Sequence, residues 1–329
     1  MAILVTGGAG YIGSHTVAEL LQQGETVVVL DSLQKGHRQA VAGCTFYQGN
    51  ILDEELLHKI FTGHGIEAVV HFAAESQVGE SVQIPLHYYQ NNVVGTYTLV
   101  KSMIGHDVKK IVFSSTAATY GEPKQIPIPE SSDTNPTSPY GETKLAIEKM
   151  LRWCDQAYGL KSVCLRYFNA AGAHPDGHIG EDHTPESHLI PIILQVALGQ
   201  REAIQIFGDD YPTADGTCIR DYIHVMDLAN AHFLAIEYLR QNESSSICNL
   251  GNGKGFSVKE VIEKARMITG HPIPAVVSPR RAGDPAVLVA SSKQAQNELG
   301  WKPQYGQLET ILAHAWNWHR NHPRGYDDK

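Results

Sequence analysis

Basic blocks, paired cysteines and long apolar runs are all missing from this 329-residue chain, and each absence removes a class of function. Lys and Arg number 26 against 35 Asp and Glu, a formal charge of −9. No basic block carries interleaved aromatics, so nothing favours nucleic acid as a partner. No uninterrupted run approaches the about 20 apolar residues that a membrane-spanning helix needs. Cys44, Cys154, Cys164, Cys218 and Cys248 are scattered without a C-x-x-C pair, which suits buried thiols in a reducing compartment. Internal repeats and low-complexity tracts are absent too. The opening residues Met1 to Thr6 lead straight into a glycine loop, with no cationic n-region, apolar h-region or cleavage site, and the expected location is the cytoplasm.

What is present suits an ordinary soluble globular protein. Hydrophobic residues make up 42% and charged residues 19%, enough to bury a large core in one catalytic module of two apposed lobes. Short β-branched runs at 2–6, 26–30, 44–48, 68–72, 110–115 and 162–167 alternate with amphipathic stretches at 12–23, 53–61, 84–106 and 139–158. That alternation predicts βαβ units over a doubly wound parallel sheet, an α/β fold of Rossmann type. Beyond about residue 170 the pattern breaks in a segment rich in His, Pro, Gly and Asp. The expected division is a dinucleotide-binding domain at 1–170 and a smaller, mixed α/β substrate-binding lobe at 171–329, with some later segments returning to the first. In the second part, Ser257-Val258-Lys259-Glu260 matches a capping box for a helix that Gly270 closes, and 307–319 reads as a terminal amphipathic helix.

Gly7-Gly8-Ala9-Gly10-Tyr11-Ile12-Gly13 follows a predicted strand and opens a predicted helix. Glycines let the backbone turn tightly and approach a pyrophosphate, whose charge the helix N-terminus stabilises. Asp31 ends the second predicted strand, where a carboxylate accepts hydrogen bonds from both adenosine ribose hydroxyls and repels a 2′-phosphate. This favours NAD over NADP, although Lys35 and Arg38 lie close by in sequence.

Ser138-Pro139-Tyr140-Gly141-Glu142-Thr143-Lys144 places Ser138 at an N-cap and Pro139 at the first helical position. Tyr140 and Lys144 then share one helix face. A phenol is a poor base at neutral pH, but a neighbouring ammonium, the positive helix end and a nicotinamide cation all favour phenolate. Tyr-x-x-x-Lys also occurs on solvated helix faces; its place behind a dinucleotide loop gives it weight. Phe113-Ser114-Ser115-Thr116 ends a predicted strand, so Thr116 faces the ligand crevice near Tyr140, whereas Ser114 and Ser115 suit the satisfaction of turn backbone.

Taken together and in order, TGGAGYIG, HFAAESQVGES, NNVVGT, FSSTAATYG, SPYGETK, RYFNAAGAHP, RDYIHVMDLA and RRAGDP resemble the motif series of the UDP-glucose 4-epimerases, extended short-chain dehydrogenase/reductases. The resemblance runs from about Ile3 to Trp301. It implies an isomerase of galactose and carbohydrate metabolism that holds NAD and interconverts UDP-hexoses, working as a homodimer through helices near 84–106 and 139–158. By position it places Gly7, Gly10, Tyr11, Ile12 and Gly13 at the pyrophosphate loop and Asp31, Ser32, Leu33, Gln34, Lys35 and Gly36 at the adenosine ribose. Asn50 and Ile51 fall at the adenine, Phe72, Ala73, Ala74 and Ser76 along the next strand end, and Asn91, Tyr140, Lys144 and Phe168 complete the cofactor site. Thr116 and Tyr140 fall at the hexose, with Tyr140, Lys144 and Thr116 catalytic. Asn169, His188 and Leu189 surround the diphosphate and uracil, and Arg220, Arg281 and Asp284 the phosphates and ribose, where a planar guanidinium can pair two oxygens at once.

The sequence departs from that pattern in places. Glu75-Ser76-Gln77 stands where Leu-Lys-Ala is common, and His188 where asparagine is frequent. Leu288, four residues after Asp284, occupies the position where a tyrosine excludes N-acetylated sugars and a smaller residue admits them, so a UDP-N-acetylglucosamine 4-epimerase or a dual-specificity enzyme stays open. A dehydratase or decarboxylase on the same fold needs an added acid after the strand-end threonine, and here Ala117 and Ala118 stand there. A non-catalytic NAD-binding regulator would be free to lose Tyr140, Lys144 and Thr116. His174, His178, His183 and His188 crowd one turn-rich loop without an H-E-x-x-H pattern and read as polar loop groups, with no metal expected.

Overall fold

Ile3, Leu4 and Val5 are all fully buried, and the period of two along a strand sends them to opposite faces of one sheet. Such continuous apolar runs need cover on both sides. In the computed structural model, which describes residues 1–281 and 284–326, that cover is provided. Strands β1 (Ala2–Thr6), β2 (Thr26–Asp31), β3 (Thr45–Gln48), β4 (Ile66–His71), β5 (Lys110–Thr116), β6 (Lys161–Tyr167) and β7 (Ser246–Leu250) form one parallel sheet in the order β7-β6-β5-β4-β1-β2-β3. Helices Tyr11–Gln22 and Val225–Gln241 pack on one face around Val17, Leu20, Leu228 and Ala235. Glu54–Gly63, Gly95–Gly105 and Pro139–Tyr158 cover the other around Leu57, Leu99, Met103 and Ile147. The strand order reverses between β1 and β4, which opens a crevice at their C-terminal ends.

The expected Rossmann-type sheet is therefore present, with three differences. The strand expected at 68–72 runs from Ile66 to His71. The single helix expected at 84–106 is broken into Pro85–Tyr88, a π turn at Tyr89–Val94 and Gly95–Gly105, preceded by Val78–Gln83. Pro85, at a first helical position, cannot continue a helix from the residues before it, and the side chain of Asn92 fastens the π turn to the loop after β4. No strand was expected at Ser246–Leu250, whose Ser246 and Asn249 interrupt the apolar pattern, yet it pairs in parallel with β6.

Past residue 168 the small sheets are mixed. Asn169–Ala171 pairs with Tyr222–His224, and Ile204–Phe207 with Ala275–Ser278. Ile219–Arg220 lies between Phe256–Ser257 and Val287–Leu288. A third core gathers Ile193, Leu194, Val261, Ile311 and Leu312 from helices Leu189–Ala197, Val258–Thr269 and Leu308–Asn321. The Ser257 hydroxyl caps its helix by accepting from Glu260 N, and Gly270 ends it in the left-handed conformation. Among the described residues no helix is long and apolar enough to cross a membrane.

Candidate active site

The glycine loop is shaped by what its backbone must approach. Gly7 has φ +71°, and a Cβ there would lie 2.5 Å from Ala73 N; at Gly13 it would lie 2.2 Å from Gly7 O. Phe72 N and Ala73 N both donate to Thr6 O, at 2.8 and 3.1 Å, which stitches the end of β4 to the loop. The helix begins at Tyr11 with Gly10 at its N-cap, leaving Tyr11 and Ile12 at the positive end where an anion is stabilised. Asp31 secures the neighbouring loop: Oδ2 accepts from Ala9 N at 2.9 Å and Oδ1 from Leu33 N at 2.8 Å. Burial raises its carboxyl pKa while these donors lower it. Ser32 to Gly36 wrap beside it, with Lys35 exposed and Gly36 pressed on Ala9, where a Cβ would lie 2.8 Å from the Ala9 carbonyl carbon. Arg38 is turned away, its guanidinium 4.5 Å from the Phe46 ring centre and donating to Val41 O. A loop with a buried acid, two obligatory glycines and its nearest arginine engaged elsewhere fits a dinucleotide without a 2′-phosphate.

Around this cradle, Asn50 Oδ1 accepts from Leu52 N at 2.9 Å, whereas the Ile51 side chain is buried beneath Gly95, so residue 51 borders the crevice through its backbone. Ala74 is half-buried and Ser76 exposed. Asn91, in the π turn, donates to Asn92 Oδ1 at 3.3 Å; a π turn at a ligand crevice is a common way to re-aim one side chain.

Ser138 Oγ caps the next helix by accepting from Gly141 N at 3.2 Å, and Pro139 occupies its first turn. Gly141 packs so closely on the turn after β5 that a Cβ would lie 2.7 Å from Ala118 O. That contact sets Tyr140 against Thr116. Burial raises the Tyr140 pKa, and a hydrogen bond with the Thr116 side chain lowers it. Lys144 is buried, donates from Nζ to Ser114 O at 2.8 Å, and lies 6.0 Å from the Tyr140 ring centre. Burial pulls its ammonium down to about 7, and the charge of Glu148 acts against this. The expected triad of Thr116, Tyr140 and Lys144 is thus assembled at the C-terminal end of β5.

Across the crevice, half-buried Phe168 and exposed Asn169 follow β6, and Asn169 N donates to Asp221 O at 3.0 Å. Arg220 NH2 lies 3.6 Å from Asp284 Oδ1, and Arg281 Nε donates to Asp284 Oδ2 at 2.8 Å, so the three expected phosphate and ribose residues meet around one carboxylate. Leu288 is in register with Arg220 on the adjoining strand. Ala282 and Gly283 of the RRAGDP motif lie outside the described residues. His188 is the N-cap of the helix that Leu189 begins, and its Nδ1 is hydrogen-bonded to Glu181 Oε1.

Residues 3–251 match the model of the NAD dependent epimerase/dehydratase family. The chain belongs to this family. It is 71% identical over 326 residues to a UDP-glucose 4-epimerase of Halalkalibacterium halodurans, covering 99% of this chain and 98% of the relative. A crystal structure of a UDP-glucose 4-epimerase superposes with a TM-score of 0.98 at 58% identity, all of both chains being covered. The Bifidobacterium longum UDP-glucose 4-epimerase, solved in complex with NAD+ and UDP, superposes with a TM-score of 0.94 at 41% identity, covering 99% of this chain and 100% of that one.

Within this epimerase/dehydratase framework, four buried residues that sequence reasoning did not single out hold the site. Asn92 accepts from Glu75 N at 2.8 Å, donates to Glu75 O at 3.0 Å, and reaches Thr143 Oγ1 at 3.2 Å, joining the loop after β4 to the Tyr140 helix. His71 links Thr6 and Thr96 through its two ring nitrogens at 2.7 and 2.8 Å, kept neutral because burial, with Lys144 nearby, pushes its pKa down to about 3. Glu148, one turn beyond Lys144, takes Arg166 in a two-pronged ion pair and accepts from Ser115 Oγ at 2.5 Å. Asp221 accepts from Asn252 N, Gly253 N and Ala290 N at 2.7 to 3.1 Å, fixing the strand that carries Arg220; burial still pushes its carboxyl up to about 6.

Proposed function

We propose that this chain interconverts UDP-glucose and UDP-galactose by inverting C4 through a transient 4-keto sugar. The observation that carries the reading is the half-buried Tyr140 beside the buried Thr116 hydroxyl, backed by buried Lys144, in a crevice shaped for a dinucleotide. Gly7, Gly13 and Asp31 would hold NAD, which would supply a reversible hydride acceptor for C4. Tyr140 takes the C4 hydroxyl proton and later gives it back, with Thr116 hydrogen-bonded beside it. In its protonated form Lys144 puts positive charge close to the phenol, favouring the phenolate that burial alone disfavours. Asn169, His188, Leu189, Arg220, Arg281 and Asp284 are assigned to the UDP portion, which stays anchored while the ketohexose turns over. Ala117 and Ala118 supply no acid next to the sugar, which supports epimerisation over elimination or decarboxylation.

Because hydride leaves and returns within one turnover, the cofactor is regenerated without an external redox partner. Purified protein given UDP-galactose with no added NAD forms UDP-glucose; failure to do so in folded, NAD-supplemented protein overturns the reading. UDP-N-acetylgalactosamine in the same assay tests whether Leu288 admits an acetamido group. We assign a homodimer as well. Val78, Val82, Leu86, Tyr97, Trp153 and Tyr158 are each at least half exposed on the helices flanking the π turn and on the Tyr140 helix, and one copy can cover another there. Among the described residues all five cysteines are free thiols, which supports a cytoplasmic location.

A further inference from the structure

The loop leading into helix Leu189–Ala197 draws four ligating side chains to one point. Glu181, His183, Glu186 and His188 each present a donor atom, and these atoms all lie within 4.8 Å of one another. Glu181 is almost completely buried, with its side chain 3% exposed, and its Oε1 lies 3.2 Å from His183 Nδ1 and against His188 Nδ1. Glu186 Oε2 closes the group at 3.8 Å from His183 Nδ1. A tetrahedral ion with bonds of about 2.0–2.1 Å separates its ligand atoms by about 3.3 Å, so these spacings need only small adjustments, chiefly a parting of the Glu181 and His188 pair. A metal ion binds deprotonated imidazoles, so in the bound state the four side chains carry two negative charges, which a divalent cation balances.

We propose that Glu181, His183, Glu186 and His188 form a structural site for a divalent transition-metal ion, zinc being the best match to two imidazole and two carboxylate donors in a tetrahedral array. Four protein ligands leave no open position, so the ion acts as a clamp and takes no part in the chemistry. It fastens the segment that delivers His188 and Leu189. The Glu181 carbonyl accepts from Trp318 Nε1 at 3.0 Å, and the His183 ring stands edge-on to Tyr11 of the glycine loop at 6.2 Å. The clamp therefore ties the terminal helix, the glycine loop and the start of helix Leu189–Ala197 together. The neighbouring His174, Asp176 and His178 also converge, but Asp176 and His178 are exposed, which makes His178 a useful control.

Purified full-length protein with its retained cofactor, stripped by chelator and dialysed, is titrated with Co2+ alone and read by visible absorption. The expected result is an intense tetrahedral band saturating at one ion per chain, displaced by Zn2+, and weakened at least tenfold in affinity by His183→Ala and by Glu186→Gln but unchanged by His178→Ala. Zn2+ should raise the unfolding temperature of the wild type and leave that of His183→Ala unchanged. No stoichiometric band, a weak octahedral spectrum, or a band that survives both His183→Ala and Glu186→Gln would overturn the proposal. Should His183→Ala fail to fold by circular dichroism, Glu186→Gln decides alone.

Discussion

Tyr140 and Lys144 sit in surroundings that move their proton affinities apart. Burial raises the phenol and pulls the ammonium down to about 7. The sign of the consequence for folding follows: between about 7 and the ordinary 10.5 the unfolded chain binds the Lys144 proton and the folded chain does not. Stability of NAD-stripped protein, relative to Lys144→Met, therefore rises with pH over that window, as chemical unfolding at pH 7 and pH 9 can check. For catalysis, Tyr140→Phe is expected to lower kcat by about 10²–10⁴-fold with little change in KM, the range for loss of a positioned acid/base. Steady-state assays with UDP-galactose measure it. Tyr140, Lys144 and Asp31 were legible from sequence because local spacing fixes their geometry. Asn92, Glu148 and Asp221 were not, because each acts on partners 17, 18 or as many as 69 positions away.

Elements position these side chains only where the chain permits close approach. In the glycine loop, Gly13→Ala puts a methyl 2.2 Å from a backbone oxygen that cannot retreat without moving the cradle. We expect that variant to purify with far less NAD, read from its absorbance ratio, even where circular dichroism shows a folded chain. On the Tyr140 helix, Glu148→Gln leaves the Arg166 charge buried and unpaired, at a cost of about 3–5 kcal/mol in denaturant unfolding. Strand and helix periodicity made β1, β2, β5, β6 and the Tyr140 helix readable almost to the residue. The broken helix after residue 84 was hidden because its apolar spacing looks continuous; the side-chain clamp from Asn92 that accompanies the π turn is not a periodic signal.

On the scale of the whole molecule, the chain crosses from sheet to small lobe and back. β7 and helix Val225–Gln241 rejoin the first core after the chain has built the strand of Arg220. This return ties the UDP-binding residues to the sheet that carries Tyr140. A short strand with polar residues gives little sequence signal for such a journey, whereas the seven-stranded layer it completes is plain in space. The exposed apolar face on the flanking helices belongs to this scale too. Trp153→Glu combined with Leu86→Glu should shift sedimentation from dimer toward monomer, and a monomeric wild type would remove the dimer proposal.

Epimerisation here rests on a hydride that leaves C4 and returns to it with no external oxidant or reductant. The most direct measurement incubates purified protein with UDP-galactose deuterated at C4, no NAD added, and follows product by chromatography and mass spectrometry. UDP-glucose that keeps its deuterium is the expected product. No UDP-glucose from folded protein, or UDP-glucose that has exchanged the C4 deuterium for solvent hydrogen, would contradict it.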